Sequence, residues 1–501
     1  MSLKSFLAKY FAAYEVKKFN KAIAHPIDAQ KKVFDHLVAV GKNTEFGKAH
    51  DFDHIRTYKD FCDRVPLRDY EELSIYIDRI KKGNADVLWK GKPKYFAKTS
   101  GTTSGVKYIP ISDTSIRYQV RAARMSLQYF IHEQGLTSWV DGKMIFLQGS
   151  PALDEMAGIP TGRLSGITYH EVPSYLLKNR KPTYATNCIE DWEEKVAQIV
   201  EETKDENMTL ISGIPPWVIM YFELLLKRTG KRTVAEVFPN LTLYVHGGVN
   251  FQPYRDTFIK LVGKDIGYIE TFPASEGFIG FQNTQNSDDH LLVVDGGIFY
   301  EFVEAHDIFN KEASRHSLAE VQLDTNYAII LSTDAGLWGY IIGDTIRFTS
   351  LSPYKIRVTG RIKHYISAFG EHVIGEEVEH AMIDTCHKMG ISVKEFTVAP
   401  QIQVEGRELP YHEWFVEFDN NSTDLDAFAQ QLDANMCIKN IYYRDLIDGN
   451  ILSTLKVTPL SHDAFRHYMD SIGKLGGQNK IPRLSNDRTI ADALSPYILK
   501  T

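Results

Sequence analysis

Apolar positions along this chain recur with two different periods, and the switches between them outline its elements. Near the start, Phe6, Leu7, Tyr10, Phe11 and Tyr14 fall at helical spacing among lysines and a glutamate. Residues 1 to about 90 read as mostly helical. The middle then alternates. Met144–Gln148 is a short apolar run ending in Gly149-Ser150-Pro151 and predicts a strand. Asp191–Glu202 puts Trp192, Val196, Ile199 and Val200 on one helical face. Thr209–Ile211 predicts a strand stopped by Gly213 and Pro215-Pro216. Trp217–Arg228 predicts a helix ended by Gly230. Leu241–Val245 predicts a strand, Pro253–Val262 a helix with Pro in its first turn and Gly263 as terminator, and Ile266–Glu270 a further strand. Strands and helices in that rhythm imply a mostly parallel sheet with helices packed on it.

From Leu291 to Thr349 the rhythm changes. Ile298–Phe302, Ala319–Leu323 and Ala328–Leu331 are short β-rich runs joined by turns, which predicts an antiparallel or barrel-like section. After about residue 360 the pattern restarts. It holds strand signals at Ile362–Ile366, Phe396, Trp414–Phe418 and Leu452–Val457, and helix signals at Gly375–Lys388 and Asp424–Met436. The expected fold is α/β: a large N-terminal domain, 1–360, with mostly parallel sheets and a β-barrel-like section, and a smaller, mobile α+β lid, 361–501. Val358-Thr359-Gly360-Arg361 places a glycine between two β-like runs, where a hinge fits.

Bulk properties narrow the class. The 501 residues carry a net charge of -7, and lysine and arginine form no long run, so a nucleic-acid surface is not expected. Cys62, Cys188, Cys386 and Cys437 lie far apart, without the spacing of a zinc or dithiol motif. No signal peptide is legible, and no run approaches the ~20 apolar residues of a membrane span, so a cytoplasmic protein without a membrane partner is expected.

Five segments carry candidate chemistry. Thr99-Ser100-Gly101-Thr102-Thr103-Ser104-Gly105-Val106-Lys107 combines hydroxyl donors, glycines that free backbone N–H groups, and one lysine. That combination suits a polyphosphate, although it is not a Walker loop. Thr271-Phe272-Pro273-Ala274-Ser275-Glu276-Gly277 lies beside a predicted strand end, where α/β sheets place ligands, and Glu276 suits Mg²⁺. Taken alone, Glu276 reads equally as an exposed turn carboxylate. Gly343-Asp344 offers an acceptor for ribose hydroxyls, and alone reads as an ordinary turn. Gly360-Arg361-Ile362-Lys363-His364 marks the domain boundary. Gly476-Gly477-Gln478-Asn479-Lys480 sets a lysine on a glycine-flanked loop.

In this order and spacing the segments resemble the adenylate-forming enzymes. Within that superfamily they resemble the auxin-responsive Gretchen Hagen family of acyl acid–amido synthetases, as a bacterial-type member, over nearly the whole chain. Phe272–Glu276 resembles a Tyr-x-x-Ser-Glu motif with Phe in place of Tyr. Tyr340–Asp344 resembles Tyr-Arg-x-Gly-Asp with Ile341 in place of Arg. Lys480–Arg483 resembles Lys-x-Pro-Arg. The two departures remove a phenol and a guanidinium, so any contact those groups make in relatives is absent here or supplied by other residues.

The resemblance implies attack of a carboxylate on the α-phosphorus of ATP, giving acyl-AMP, and then transfer of the acyl group to an amine, that of an amino acid. It implies a phosphate loop of Ser100, Gly101, Thr102, Thr103 and Lys107, with Mg²⁺ at Glu276. It implies ribose at Asp344, polar contacts from Thr271 and Ser275, and adenine approach at Gly247 and Gly248. Lys480 becomes the mobile cation and Arg361–Lys363 the hinge. The acid pocket is drawn from Thr161–His170, with Arg163 and His170, and from Gly213–Trp217. Two rivals stay open: an acyl-CoA ligase sharing the first half-reaction, and a non-catalytic nucleotide-binding protein. No obligate protein partner is expected.

Overall fold

The computed structural model describes residues 3–102, 105–172, 177–248, 251, 254–305, 307–308, 310, 312–362, 365–366, 368–371, 373–402, 409–419, 424–472 and 481–499. At 100–102, 105, 216, 360–361, 365 and 374–376 it describes the backbone alone. The chain divides into two compact units. One comprises 1–99, 107–189 and 194–362; the other comprises 363–501 with the short segments 100–106 and 190–193.

The first unit opens on the expected helices, Leu3–Ala24, Pro26–Gly41, Glu45–Ala49, Tyr58–Arg64 and Tyr70–Lys81. Two of them start at capping boxes, Thr57 with Asp60 and Asp69 with Glu72, which satisfy backbone N–H groups that the first turn leaves unpaired. The first helix turns against its sequence pattern. Its buried face is Ser5, Ala12, Val16 and Phe19, while Leu3, Phe6, Leu7, Tyr10, Phe11 and Tyr14 face outward. The smaller side chains form the face turned to the helix Asp113–Gln134, which packs closely against it. Gln30 fastens the second helix to the sheet. Its Nε2 donates to the carbonyls of Val294 and Ile298, at 2.8 and 2.9 Å, and its Oε1 accepts from the Tyr300 N–H.

Among the described residues, a twelve-stranded mixed sheet forms the centre of this unit. On one side lie the parallel strands Lys143–Phe146, Arg180–Lys181, Met208–Ser212, Leu243–Gly247 and Gly267–Ala274. The hairpin Gly267–Ala274/Gly277–Gln282 reverses direction. The antiparallel strands His290–Leu292, Tyr354–Arg361, Tyr340–Leu351, Asn326–Thr333 and Ile298–Glu304 continue the ladder. The antiparallel section is thus hydrogen-bonded onto the parallel one. Ala319–Leu323 departs from expectation: it is a turn followed by a single bridge from Leu323 to Phe348. Its polar groups are used locally, Glu320 accepting from the Ser317 N–H and the Gln322 N–H donating to the Tyr327 hydroxyl.

Trp192, Val196, Ile199 and Val200 are buried on the helix Trp192–Thr203, and Gly230 and Gly263 close their helices in left-handed backbone, as the spacing predicts. Pro253 lies outside the described residues. One large apolar core spans the helical layer and the antiparallel strands. At its heart Trp338 is fully buried and donates its Nε1–H to the Leu88 carbonyl at 3.0 Å. Among the described residues no helix is long and apolar enough to cross a membrane.

The second unit is α+β. The strands Val393–Gln401 and Tyr411–Phe418 pair antiparallel, and Lys456–Pro459 adds in parallel. The helices Gly375–Met389 and Leu425–Lys439 pack on each other, and Asp424 caps the latter through the Ala427 N–H.

Candidate functional site

Parallel strands end on one edge of a sheet, and here that edge carries the predicted segments at 213, 247–248 and 271–276. Phe146 pairs with Ser212, Ser212 with Val245, and Gly247 with Thr271. Gln148, Gly213, Gly247-Gly248 and Thr271–Glu276 therefore emerge from neighbouring strand ends. At Gly247 the strands touch: a Cβ there would lie 2.2 Å from the Thr271 carbonyl oxygen, so no side chain fits. Thr271 donates its hydroxyl to the His246 carbonyl at 2.9 Å. Gly248 turns away in left-handed backbone, φ +78, facing open space.

The motif Thr271–Glu276 is more ordered than expected. Its first four residues belong to the strand, and only Ser275 and Glu276 form the hairpin turn. Glu276 is 9% exposed, so the exposed-turn reading does not hold for it. Asp344 likewise is 8% exposed and sits inside the strand Tyr340–Leu351, following Gly343 at φ +97. Its ladder partner is Arg361, the last residue of the strand Tyr354–Arg361. The ribose candidate thus lies where that ladder runs out into the boundary segment, and not at a strand terminus of its own.

The hydroxyl-rich segment is also less of a loop than its composition suggests. Strand backbone runs through Thr102 and resumes at Gly105. The side chains of Ser100, Thr102 and Thr103 lie outside the described residues, as does Lys363. Lys107 sets its ammonium 5.6 Å from the Tyr70 ring centroid. Lys480 too lies outside the described residues, but the chain just after it is stitched to the second unit's sheet. Thr397 donates to the Pro482 carbonyl at 2.8 Å, and the Val398 N–H donates to the Arg483 carbonyl at 2.9 Å. Arg483 itself pairs with Glu379 at 2.9 Å.

In the acid-pocket region, Arg163 stands at the N-cap of the helix Leu164–His170 and lies against Gly149, just beyond the strand Lys143–Phe146. Trp217 stands half-buried in the first turn of the helix Pro215–Thr229. His170 is exposed, and its Nε2 lies 2.8 Å from the carbonyl of Pro151, a residue just beyond the strand Lys143–Phe146.

Comparison with known proteins decides the affiliation. Three family descriptions match in chain order: the GH3 family N-terminal domain over residues 15–183, the central domain over 291–361 and the C-terminal domain over 376–489. The chain belongs to the GH3 family. It is 21% identical to the indole-3-acetic acid-amido synthetase GH3.4 of Arabidopsis thaliana, over 94% of this chain and 91% of that protein. A shorter match, 20% identical, spans 41% of GH3.3 from the same plant. The fold is similar to that of the GH3.15 acyl acid amido synthetase in complex with 2,4-DB, with a TM-score of 0.62, 13% identity, and 98% and 96% of the two chains covered. It is also similar to that of 2-hydroxyisobutyryl-CoA ligase, with a TM-score of 0.59, 13% identity, and 94% and 92% covered.

The GH3 chain holds titratable groups at the same sheet edge that sequence reasoning missed. Glu270, the ladder partner of His246, is pushed up to about 7 by burial and by the Asp288 charge. Burial holds His246 and His290 down to about 3 and about 4, so both imidazoles are neutral at physiological pH. Lys195 is 3% exposed and Arg180 8%. Lys195 had a legible signal: three residues after Trp192 and four before Ile199, it falls on the apolar face of its helix. Nothing in the sequence singles out Arg180 or Glu270.

Among the described residues, two places offering oxygen ligands to a metal differ in kind. At the hairpin turn, Glu276 supplies a carboxylate next in the chain to the Ser275 hydroxyl. That all-oxygen set suits a hard cation whose remaining ligands are phosphate and water. In the second unit Glu417, His462 and Asp463 also cluster. There the Lys394 ammonium already lies 3.0 Å from Glu417 and 2.9 Å from Asp463, supplying the positive charge, so this cluster does not fit Mg²⁺.

Proposed function

We propose that this GH3-family chain is an ATP-dependent ligase that adenylates a small carboxylic acid and transfers the acyl group to an amine, in particular that of an amino acid. In the first step a carboxylate oxygen attacks the α-phosphorus, the bond to the bridging oxygen breaks, and pyrophosphate leaves. In the second the amine nitrogen attacks the acyl carbon, loses a proton, and AMP departs. The observation that carries this reading is the family match over three consecutive segments of the chain.

The residues divide the work by position. Gly247 and Gly248 let adenine approach the backbone, with Thr271 and Ser275 as polar neighbours. Asp344 accepts the ribose hydroxyls. Ser100, Gly101, Thr102, Thr103 and Lys107 cradle the phosphates, offering donors where charge builds up. Glu276 would hold Mg²⁺, which when bound neutralises phosphate charge. Lys480 reaches the α-phosphate and acyl oxygen during adenylation, carried by the residues after Arg361 and Lys363 as they turn about the boundary. The cost of the first step is chiefly positional: two anions must be held in line, which alignment and charge neutralisation supply. The four cysteines, all unpaired, suit a reducing, cytoplasmic setting.

The test is acid-dependent exchange of pyrophosphate into ATP across aryl, indole and aliphatic acids. Absence of exchange with every acid removes the reading. A second reading, transfer to the thiol of CoA, draws on the fold shared with 2-hydroxyisobutyryl-CoA ligase, which bears on the adenylation chemistry only. Supplying amino acids or CoA to the preformed acyl-adenylate separates the two.

A further inference from the structure

Buried cations in folded proteins are almost always matched by an anion, because removing a charge from water without a counter-charge is expensive. Two cations of the first unit break that rule. Lys195 donates from Nζ to the carbonyls of Asn187 and Gln148, at 2.7 and 3.1 Å. Arg180 donates from Nη2 to Gln148 Oε1 at 2.6 Å, its guanidinium 4.4 Å from the Tyr169 ring centroid and 4.6 Å from that of Phe146. All these partners are neutral, and among the described residues neither cation meets a carboxylate. Arg163 adds a third positive charge whose field reaches Lys195. Burial holds the Lys195 ammonium down to about 8 and the Arg180 guanidinium down to about 10, as expected of cations lacking a counter-charge.

The polar atoms around them are incompletely used as well. Arg180 Nε, Gln148 Nε2 and both amide atoms of the fully buried Asn187 have no hydrogen-bond partner among the described residues. These groups surround the end of the strand Lys143–Phe146, on the sheet edge that carries Gly247 and Thr271.

We propose that this cluster is the subsite for a carboxylate on a substrate, distinct from the carboxylate that is adenylated. Position decides between the two. In sheet order the strand Lys143–Phe146 lies three places from Gly267–Ala274, with Met208–Ser212 and Leu243–Gly247 between. At the usual strand spacing that is about 14 Å. The reacting carboxylate has to meet the α-phosphate beside Glu276, so a group at Arg180 and Lys195 belongs to the far end of the acid or to the acceptor. A planar guanidinium and an ammonium that both reach Gln148 suit a carboxylate, with Asn187 and Gln148 supplying further N–H donors. The inference rests on the ligase reading above.

The experiment has two arms on the wild-type protein. The first compares pyrophosphate exchange with butanoate against glutarate, hexanoate against heptanedioate, and benzoate against terephthalate. The second compares amide formation with alanine against ethylamine and aspartate against β-alanine. A preference of at least about tenfold in kcat/KM for the partner with the additional carboxylate is expected in one arm. The first arm assigns the group to the acid, the second to the acceptor. Arg180→Gln and Lys195→Met should erase that preference, whereas Arg180→Lys, which keeps the charge, should retain much of it. Exchange or amide formation without a carboxylate preference in either arm overturns the inference and leaves the ligase reading standing. No exchange with any acid removes both.

Discussion

Asp334 offers the sharpest test of the energetics of the first unit. It follows the strand Asn326–Thr333, is 2% exposed, and leaves its Oδ2 without a hydrogen-bond partner among the described residues. Its carboxyl packs against Gly297, and the nearby titratable group is Tyr118; Arg121 and Asp295, paired at 2.6 Å, line the same cleft. Burial pushes this carboxyl from its ordinary 3.8 up to about 8. Between those two values the folded chain holds a proton that the unfolded chain has released. The unfolded state therefore binds fewer protons, and stability falls as pH rises through the window. At about 1.4 kcal/mol for each pH unit, the loss reaches about 4 kcal/mol by pH 7, of which about 3 accumulates above pH 5. Asp334→Asn keeps the shape and cannot ionise. Urea unfolding at pH 5, 6, 7 and 8 should show the variant gaining on wild type as pH rises and levelling near pH 8. Any fixed cost of burying the amide does not change with pH and drops out of the comparison. Parallel stability curves for the two proteins across that range would refute the assignment of a buried, protonated carboxyl.

Three other substitutions probe the ion pair beneath the sheet and the ligase chemistry. Arg315→Ala should destabilise the first unit by roughly 3–5 kcal/mol in equilibrium unfolding. It strands the fully buried Glu301, which now accepts from Arg315 at 2.6 Å and from the Tyr58 hydroxyl at 3.1 Å. Glu276→Gln should lower pyrophosphate exchange at least about a hundredfold and raise the Mg²⁺ concentration needed for half-maximal rate, with an unchanged melting temperature checking that the fold survives. Lys480→Ala should cut exchange by about as much while ATP affinity, read by calorimetry, stays nearly constant. Equal exchange in that variant would remove the role assigned to the lysine.

The sequence was most legible where one face of an element is apolar and its ends are marked. Trp192, Val196, Ile199 and Val200 gave the helix Trp192–Thr203, and Gly230 and Gly263 gave two helix ends. It was least legible where polar residues are buried. The helix Asp113–Gln134 hides Ser115, Gln119, Ser126 and Gln128 among its core positions, which blurs the apolar stripe that would announce it. The outward Leu3, Phe6 and Tyr10 of the first helix show the converse: spacing gives the helix, and packing alone decides which face is covered. Among the candidate residues, Glu276 and Asp344 are legible as short motifs beside glycines, but not their burial. Lys195, Arg180 and Glu270 acquire their character only from segments folded over them, and their burial is a property of the assembled unit.

The closeness of Gly247 to Thr271 has a practical corollary for anyone seeking to retune this enzyme by directed evolution. Even a methyl group at 247 would drive a wedge between two central strands, so a library diversified there would consist largely of misfolded clones. Randomisation belongs instead at side chains such as Trp217, which borders the strand ends without holding the ladder shut.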